Sequence, residues 1–161
     1  MQIEMTIKGL MMDPVTHTPI VVLQERDADR MLPIWVGVVE ANAIALQVEN
    51  ITTARPMTHD LLRNIIEDLD GTVDRIVVSD LKEQTFYAVI HIRIHGEHLA
   101  IDARPSDAIA LALRARAPIM VEDTVFDRAR QTDYTIEQRD PDQLKAYLDQ
   151  MAPESMGKYK M

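Results

Sequence analysis

From Thr85 to Arg104 the chain alternates with a period of two. Phe86, Ala88, Ile90, Ile92 and Ile94 fall on one side of an extended run, and Leu99, Ile101 and Ala103 on one side of a second. Successive side chains of a strand point to opposite faces, so this spacing demands two strands sharing an apolar face. His95-Gly96-Glu97-His98 between them reads as a two-residue hairpin with glycine at its first central position. That register sets His95 against His98, Ile94 against Leu99, Ile92 against Ile101 and His91 against Asp102. Thr85, Tyr87, His91, Arg93, His95, His98, Asp102 and Arg104 then occupy the second, polar face. A ribbon with one apolar face needs a covering layer, and the rest of the sequence supplies helices for it.

Leu62, Ile65, Ile66 and Leu69 recur at i, i+3, i+4 and i+7, the apolar stripe of a core-packed helix, with Thr58 as N-cap and Gly71 as the stop. Ala41, Ile44, Ala45 and Val48 predict a helix over 40–48, and Asn50 can take the left-handed conformation behind it. Ala108 to Leu113 is apolar nearly all round, which predicts cover on more than one side, by a sheet and by a second subunit. Further strands are read at 2–10, 19–23, 31–37, 73–81 and 119–121, with a turn at Lys82-Glu83; Pro33 marks a strand start or an edge. Beyond Phe126 the sequence is polar, with a helix expected over 141–151. No long linker interrupts the chain. The expectation is a compact α+β domain over 1–128, a mixed or antiparallel sheet packed by helices, and a polar C-terminal extension over 129–161.

Composition narrows the chemistry. With 161 residues and 47% hydrophobic content the chain can bury a real core, and with no cysteine it has no disulfide, thiolate metal site or Cys nucleophile. No apolar run long enough to span a bilayer and no secretion signal are seen, so the cytoplasm is the expected compartment. The formal charge is −9, and residues 1–121 alone carry 17 acids against 11 Lys and Arg. Contact with nucleic acid must then be local, at an arginine-bearing pocket or through a metal, rather than along a basic groove.

Two corners concentrate the remaining chemistry: Arg55-Pro56-Met57-Thr58-His59-Asp60 and Arg104-Pro105-Ser106-Asp107, each ahead of an apolar helical run. Proline suits a first helical turn and Asp complements its positive end, which also accounts for Glu40 at the start of its helix. Arginine gains nothing there and needs an anionic partner. His59 borders an apolar stripe and reads equally as a packed first-turn histidine or a proton carrier. His91 facing Asp102 and His95 facing His98 suit a base with its orienting carboxylate and a metal pair, or simply the solvated face of a hairpin.

Leu32-Pro33-Ile34-Trp35-Val36-Gly37, Glu40-Ala41, the Arg55 to Leu62 corner, Asp80-Leu81, Thr85-Phe86-Tyr87-Ala88 and the run Asp102 to Leu111 together resemble the bifunctional nuclease family. The resemblance covers about residues 3–128. It implies a compact α+β domain, usually oligomeric, that hydrolyses DNA and RNA. The motif positions carried over are Glu40, Arg55, His59, Asp60, Asp80, Thr85, Tyr87, Asp102, Arg104, Ser106 and Asp107. On this reading Asp102, Asp80 and Glu40 hold a divalent metal such as Mg or Mn. Arg55 and Arg104, with Tyr87, Thr85 and Ser106, contact the substrate, and His59, Asp60 and Asp107 complete the catalytic set. The competing expectation is a non-catalytic oligomeric binding module whose Arg and Asp residues staple helices to the sheet. A small anionic metabolite at the same arginines is a third.

Overall fold

The structure is a computed structural model and describes residues 1–132. Strands β1 (Gln2–Met12), β2 (Pro19–Glu25) and β3 (Met31–Trp35) make one antiparallel meander; β4 (Gly71–Lys82), β5 (Thr85–Ile94) and β6 (Glu97–Ala103) make another. The meanders do not pair with each other. The four-residue β7 (Ile119–Glu122) lies between them, antiparallel to β1 and parallel to β4, giving the order β3-β2-β1-β7-β4-β5-β6. Pro33 sits in an edge strand, where its missing N–H disturbs no inner ladder.

Helices α1 (Val38–Val48), α2 (Thr58–Asp68) and α3 (Pro105–Ala115) lie on one sheet face. Ala88, Ile90 and Ile92 of β5 meet Ala41 and Ile44 of α1 and the buried run Ala108 to Ala112 of α3 in one continuous core. α3 is apolar all round because its own chain surrounds it, with α1, α2, β4 and β5 all packed against it. α4 (Asp123–Thr132) adds Val125 and Phe126 to the same core. The result is the expected α+β domain on a mixed sheet. The helix expected over 141–151 lies outside the described residues.

Turn chemistry corrects the hairpin register. Ile94 faces Glu97, Arg93 faces His98, Ile92 faces Leu99, and Asp102 faces Val89 rather than His91. The turn residues are His95 at φ 48° and Gly96 at φ 80°, so glycine takes the second central position of a turn that needs two positive φ values. Histidine tolerates that region, and the partner shift of two leaves every strand side chain on its expected face. The β4–β5 turn moves by one residue in the same way, to Glu83 and Gln84 at φ 48° and 63°.

α2 departs most from expectation. Met57, not Thr58, is its N-cap, and the only buried residue of the helix is His59. Leu61, Leu62, Ile65 and Leu69 are 40–56% exposed, while Asp60, Arg63, Asn64 and Ile66 are half-buried. The helix with the clearest apolar stripe thus turns Leu62, Ile65 and Leu69 of it outward and packs only Ile66 against the core, because its inner side is fixed by polar bonds to α3. The stop expected at Gly71 falls earlier, with Leu69 as the C-cap and Asp70 in the left-handed conformation; Gly71 instead opens β4, where a Cβ would lie 2.9 Å from the Ile66 carbonyl oxygen and 3.0 Å from the Ile94 side chain. Backbone cannot yield as a side-chain tip can. Gly71→Ala is therefore expected to lower the unfolding free energy by about 1–3 kcal/mol, read as a reduced urea midpoint at unchanged m-value.

Candidate functional site

β6 ends at Ala103, and Arg104 turns off the sheet to become the N-cap of α3, with Pro105 opening the helix. Arg104 consequently leaves the polar sheet face and reaches across to α1. Its Nη2 donates to Glu40 Oε1 at 2.7 Å, and its Nε donates to Asp107 Oδ2 at 2.9 Å. The side chain is 65% exposed but its guanidinium is pinned at two edges, and the hydrogen bonds it donates to Glu40 and then Asp107 raise its already high pKa. Glu40 folds back over the start of α1. Its own backbone N–H, then Arg104, hold its carboxyl below the usual range, and a Cβ on Gly37 would collide with its Oε2. Gly37 has an ordinary extended conformation, so a side chain there would cost no backbone strain but would push the Glu40 carboxylate out of its place.

Asp107 joins the two corners. Its Oδ1 lies 2.9 Å from His59 Nε2, and its Oδ2 takes the bond from Arg104. Burial pushes its carboxyl up, but the bonds from His59 and Arg104 outweigh this and leave it lowered. His59 is 5% exposed. Glu40, Arg104, Asp107 and His59 therefore form one continuous chain of polar contacts running from solvent into the seam between α2 and α3.

One residue further along α2, Asp60 begins a second network. Its Oδ2 accepts the Met57 N–H at 2.8 Å and its Oδ1 accepts Arg114 Nε at 2.7 Å. Burial raises this carboxyl, and the Met57 and Arg114 bonds together bring it below the ordinary value. Arg114 is 1% exposed and spends its other nitrogens on backbone: Nη1 on Ala110 O and Nη2 on Ala43 O, both at 2.9 Å. A buried pair so completely bonded is a staple between three helices. Beside it opens a cavity of about 310 Å³ lined by Arg55, Asp60, Arg63 and Arg114, and by the 51–54 loop.

The structure brings only part of the expected site together. Glu40, His59, Arg104 and Asp107 converge, with Ser106 buried beside them in the first turn of α3. Asp60 belongs to the neighbouring staple, and Arg55 to the cavity. Tyr87 and Asp102 lie on the sheet face away from α1, α2 and α3, and Thr85 is exposed at the start of β5. Asp80, opposite Tyr87 across a β-bulge, is taken by Lys82 at 2.8 Å and by Arg128, which with the Leu81 N–H hold its carboxyl low. Asp80, Asp102 and Glu40 do not share a site. Among the described residues no three His, Asp or Glu side chains are grouped to hold a metal ion, so the donors present do not fit a preformed divalent centre.

The hairpin histidines pair differently from expectation. His91 Nδ1 lies 3.1 Å from His98 Nε2 with the rings stacked, a consequence of the shifted register. Burial, then the Arg75 charge, lower the His91 pKa. Arg114 and Arg63 were invisible to reasoning from the corners. The available signal was an arginine seven residues after Asp107 in an otherwise apolar helix, a position that must find a carboxylate.

Comparison with known proteins places this geometry in a family. The family model described as bifunctional nuclease domain matches residues 21–133, which includes all the residues of both networks. A Mycobacterium tuberculosis protein described as uncharacterized is 34% identical over 160 residues, 94% of this chain and 96% of its own length. Bifunctional nuclease 1 of Oryza sativa subsp. japonica is 27% identical over 112 residues, and bifunctional nuclease 2 of Arabidopsis thaliana 26% over 108. These alignments span 68% and 65% of this chain but only 34% and 33% of the plant proteins. The extent of the family match makes this chain a member of the bifunctional nuclease domain family.

Proposed function

We propose that the chain hydrolyses phosphodiester bonds of nucleic acid at the Glu40–Arg104–Asp107–His59 cluster. Arg104 carries the reading: two carboxylates fix its fork, while its Nη1 takes no part in those bonds and the side chain as a whole stays exposed. A planar, always-charged donor held in this way suits a phosphate oxygen and the charge that builds on it during attack. Glu40, which bonds a single side chain where Asp107 bonds two, takes the proton of the attacking water, and His59 keeps Asp107 oriented against Arg104. The names of the plant relatives support the same chemistry.

The test separates site from scaffold. Arg104→Ala is expected to reduce cleavage of fluorogenic DNA and RNA oligonucleotides by about 100-fold, assayed with EDTA, Mg²⁺ and Mn²⁺ in parallel. Its cost in unfolding free energy is expected to stay below about 1 kcal/mol, because the side chain is exposed. Arg114→Ala is expected to cost about 3–5 kcal/mol, since it strands Asp60. Undiminished cleavage by purified Arg104→Ala protein would remove the assignment.

Acid titration gives a second check. Glu40 and Asp107 have lowered folded-state pKa values, so their contribution is complete above the unfolded carboxylate value of about 4 and is lost as pH falls through the folded values. The stability advantage of the native chain over Arg104→Ala is expected to hold at neutral pH and shrink below about pH 4, followed by urea midpoints.

We also infer that copies of the chain assemble through α2. The observation is its outward apolar stripe, Leu61, Leu62, Ile65 and Leu69, on the same side of the sheet as the exposed Leu99 and Ile101 of edge strand β6. Leu62→Glu with Ile65→Glu is expected to reduce the mass of the full chain measured by light scattering; an unchanged mass would exclude this surface.

A further inference from the structure

The cavity beside Arg114 is distinct from the Arg104 cluster and has its own electrostatics. Arg55, Arg63 and Arg114 line it against one carboxylate, Asp60, in a chain whose net charge is −9. Arg114 is consumed by its staple, and its charge answers that of Asp60. The Arg55 guanidinium makes no ion pair among the described residues, and that of Arg63 bonds only the neutral Asn64 Oδ1, at 3.0 and 3.3 Å. Three arginines thus line one hollow against the single carboxylate of Asp60, whose charge Arg114 and Arg63 share, an excess of two positive charges in the lining.

The surrounding groups define what fits. Asn64 accepts from Arg63 through its oxygen, which leaves its amide N–H groups as donors, and Thr52 brings a hydroxyl to the same lining. Leu46 and Ile51 add an apolar wall. At about 310 Å³ the space takes a phosphate with a small organic group attached, and it lies at the lower end of ligand-site volumes. A net excess of two positive charges in the lining matches a phosphate monoester, which carries about −1.5 to −2 at neutral pH, better than a diester with its single charge.

We propose that this cavity is a binding site for a phosphate monoester, held by Arg55 and Arg63 and separate from the Arg104 cluster. Asp60 and Asp107, on which the two sites border, are linked through adjacent residues of α2, and Asp107 and Arg114 are two turns apart on α3. The occupant is thus a terminal phosphate, on a free mononucleotide or on the end of a strand, rather than an internal phosphodiester.

Isothermal titration of the full chain tests this by binding rather than turnover, and its mononucleotide arm, with no internal phosphodiester to cleave, stands or falls independently of the nuclease reading. The probes are adenosine 5′-monophosphate, adenosine, and one oligonucleotide with either a 5′-phosphate or a 5′-hydroxyl. Both phosphorylated probes, or one of them, are expected to bind, with adenosine and the 5′-hydroxyl strand at least about tenfold weaker. Binding of the mononucleotide as tight as that of the phosphorylated strand identifies a small-molecule ligand; binding of the strand alone identifies a chain end. Arg55→Gln and Arg63→Gln are each expected to weaken binding about tenfold at unchanged melting temperature, and Arg104→Ala to leave it intact. Equal binding of adenosine, undiminished binding by both Gln variants, or loss of binding in Arg104→Ala alone would overturn the proposal.

Discussion

The buried pair between Asp60 and Arg114 sets the arrangement of everything above the sheet. Arg114 on α3 holds a carboxylate of α2 and a carbonyl of α1 in one grip, and removing an arginine so deeply buried from water is favourable only because Nε, Nη1 and Nη2 all find acceptors. Once Asp60 is fixed, the pitch of α2 leaves no freedom. His59 must enter the seam and meet Asp107, and the leucine stripe must face outward. The orientation of the helix is thus decided by hydrogen-bond satisfaction against the pull of its own apolar side.

This explains which parts of the molecule were legible in the sequence. Period-two alternation gave the faces of β5 and β6 correctly, Asn50 does adopt positive φ, and both Arg-Pro corners do open helices or approach one. Such features depend on neighbours in sequence. The hairpin register was missed because a histidine occupies a left-handed position usually given to Asn or Gly. The direction of α2 was missed because an apolar stripe identifies a helix without saying whether its partner is this chain's core. Asp80 and Asp102 were grouped with Glu40 by chemistry, but the sheet carries Asp102 on the opposite face, a separation that only pairing partners reveal.

The two corner arginines illustrate how similar local sequence acquires different roles. Arg104 lands between Glu40 and Asp107, where it is oriented and partly neutralised; Arg55 lands on the rim of a hollow with no carboxylate of its own. An acidic chain can still present positive potential, provided it is confined to recesses whose acids are already engaged. Here both recesses border the same first turn of α2, so a change in the seating of that turn would reach both.

β7 imposes an order of events as well as a topology. Among the described residues β7 is the one strand that pairs with both meanders, and its four residues come late, after Pro118. Each meander is made of consecutive strands and can pair as soon as it leaves the ribosome, but Ile3 cannot meet Val121, nor Ile76 meet Ile119, until the chain has been synthesised past Glu122. Until then the emerging protein is two half-sheets with bare inner edges on β1 and β4. A nascent chain stalled before Ile119 would therefore expose the very strand edges that the finished fold conceals.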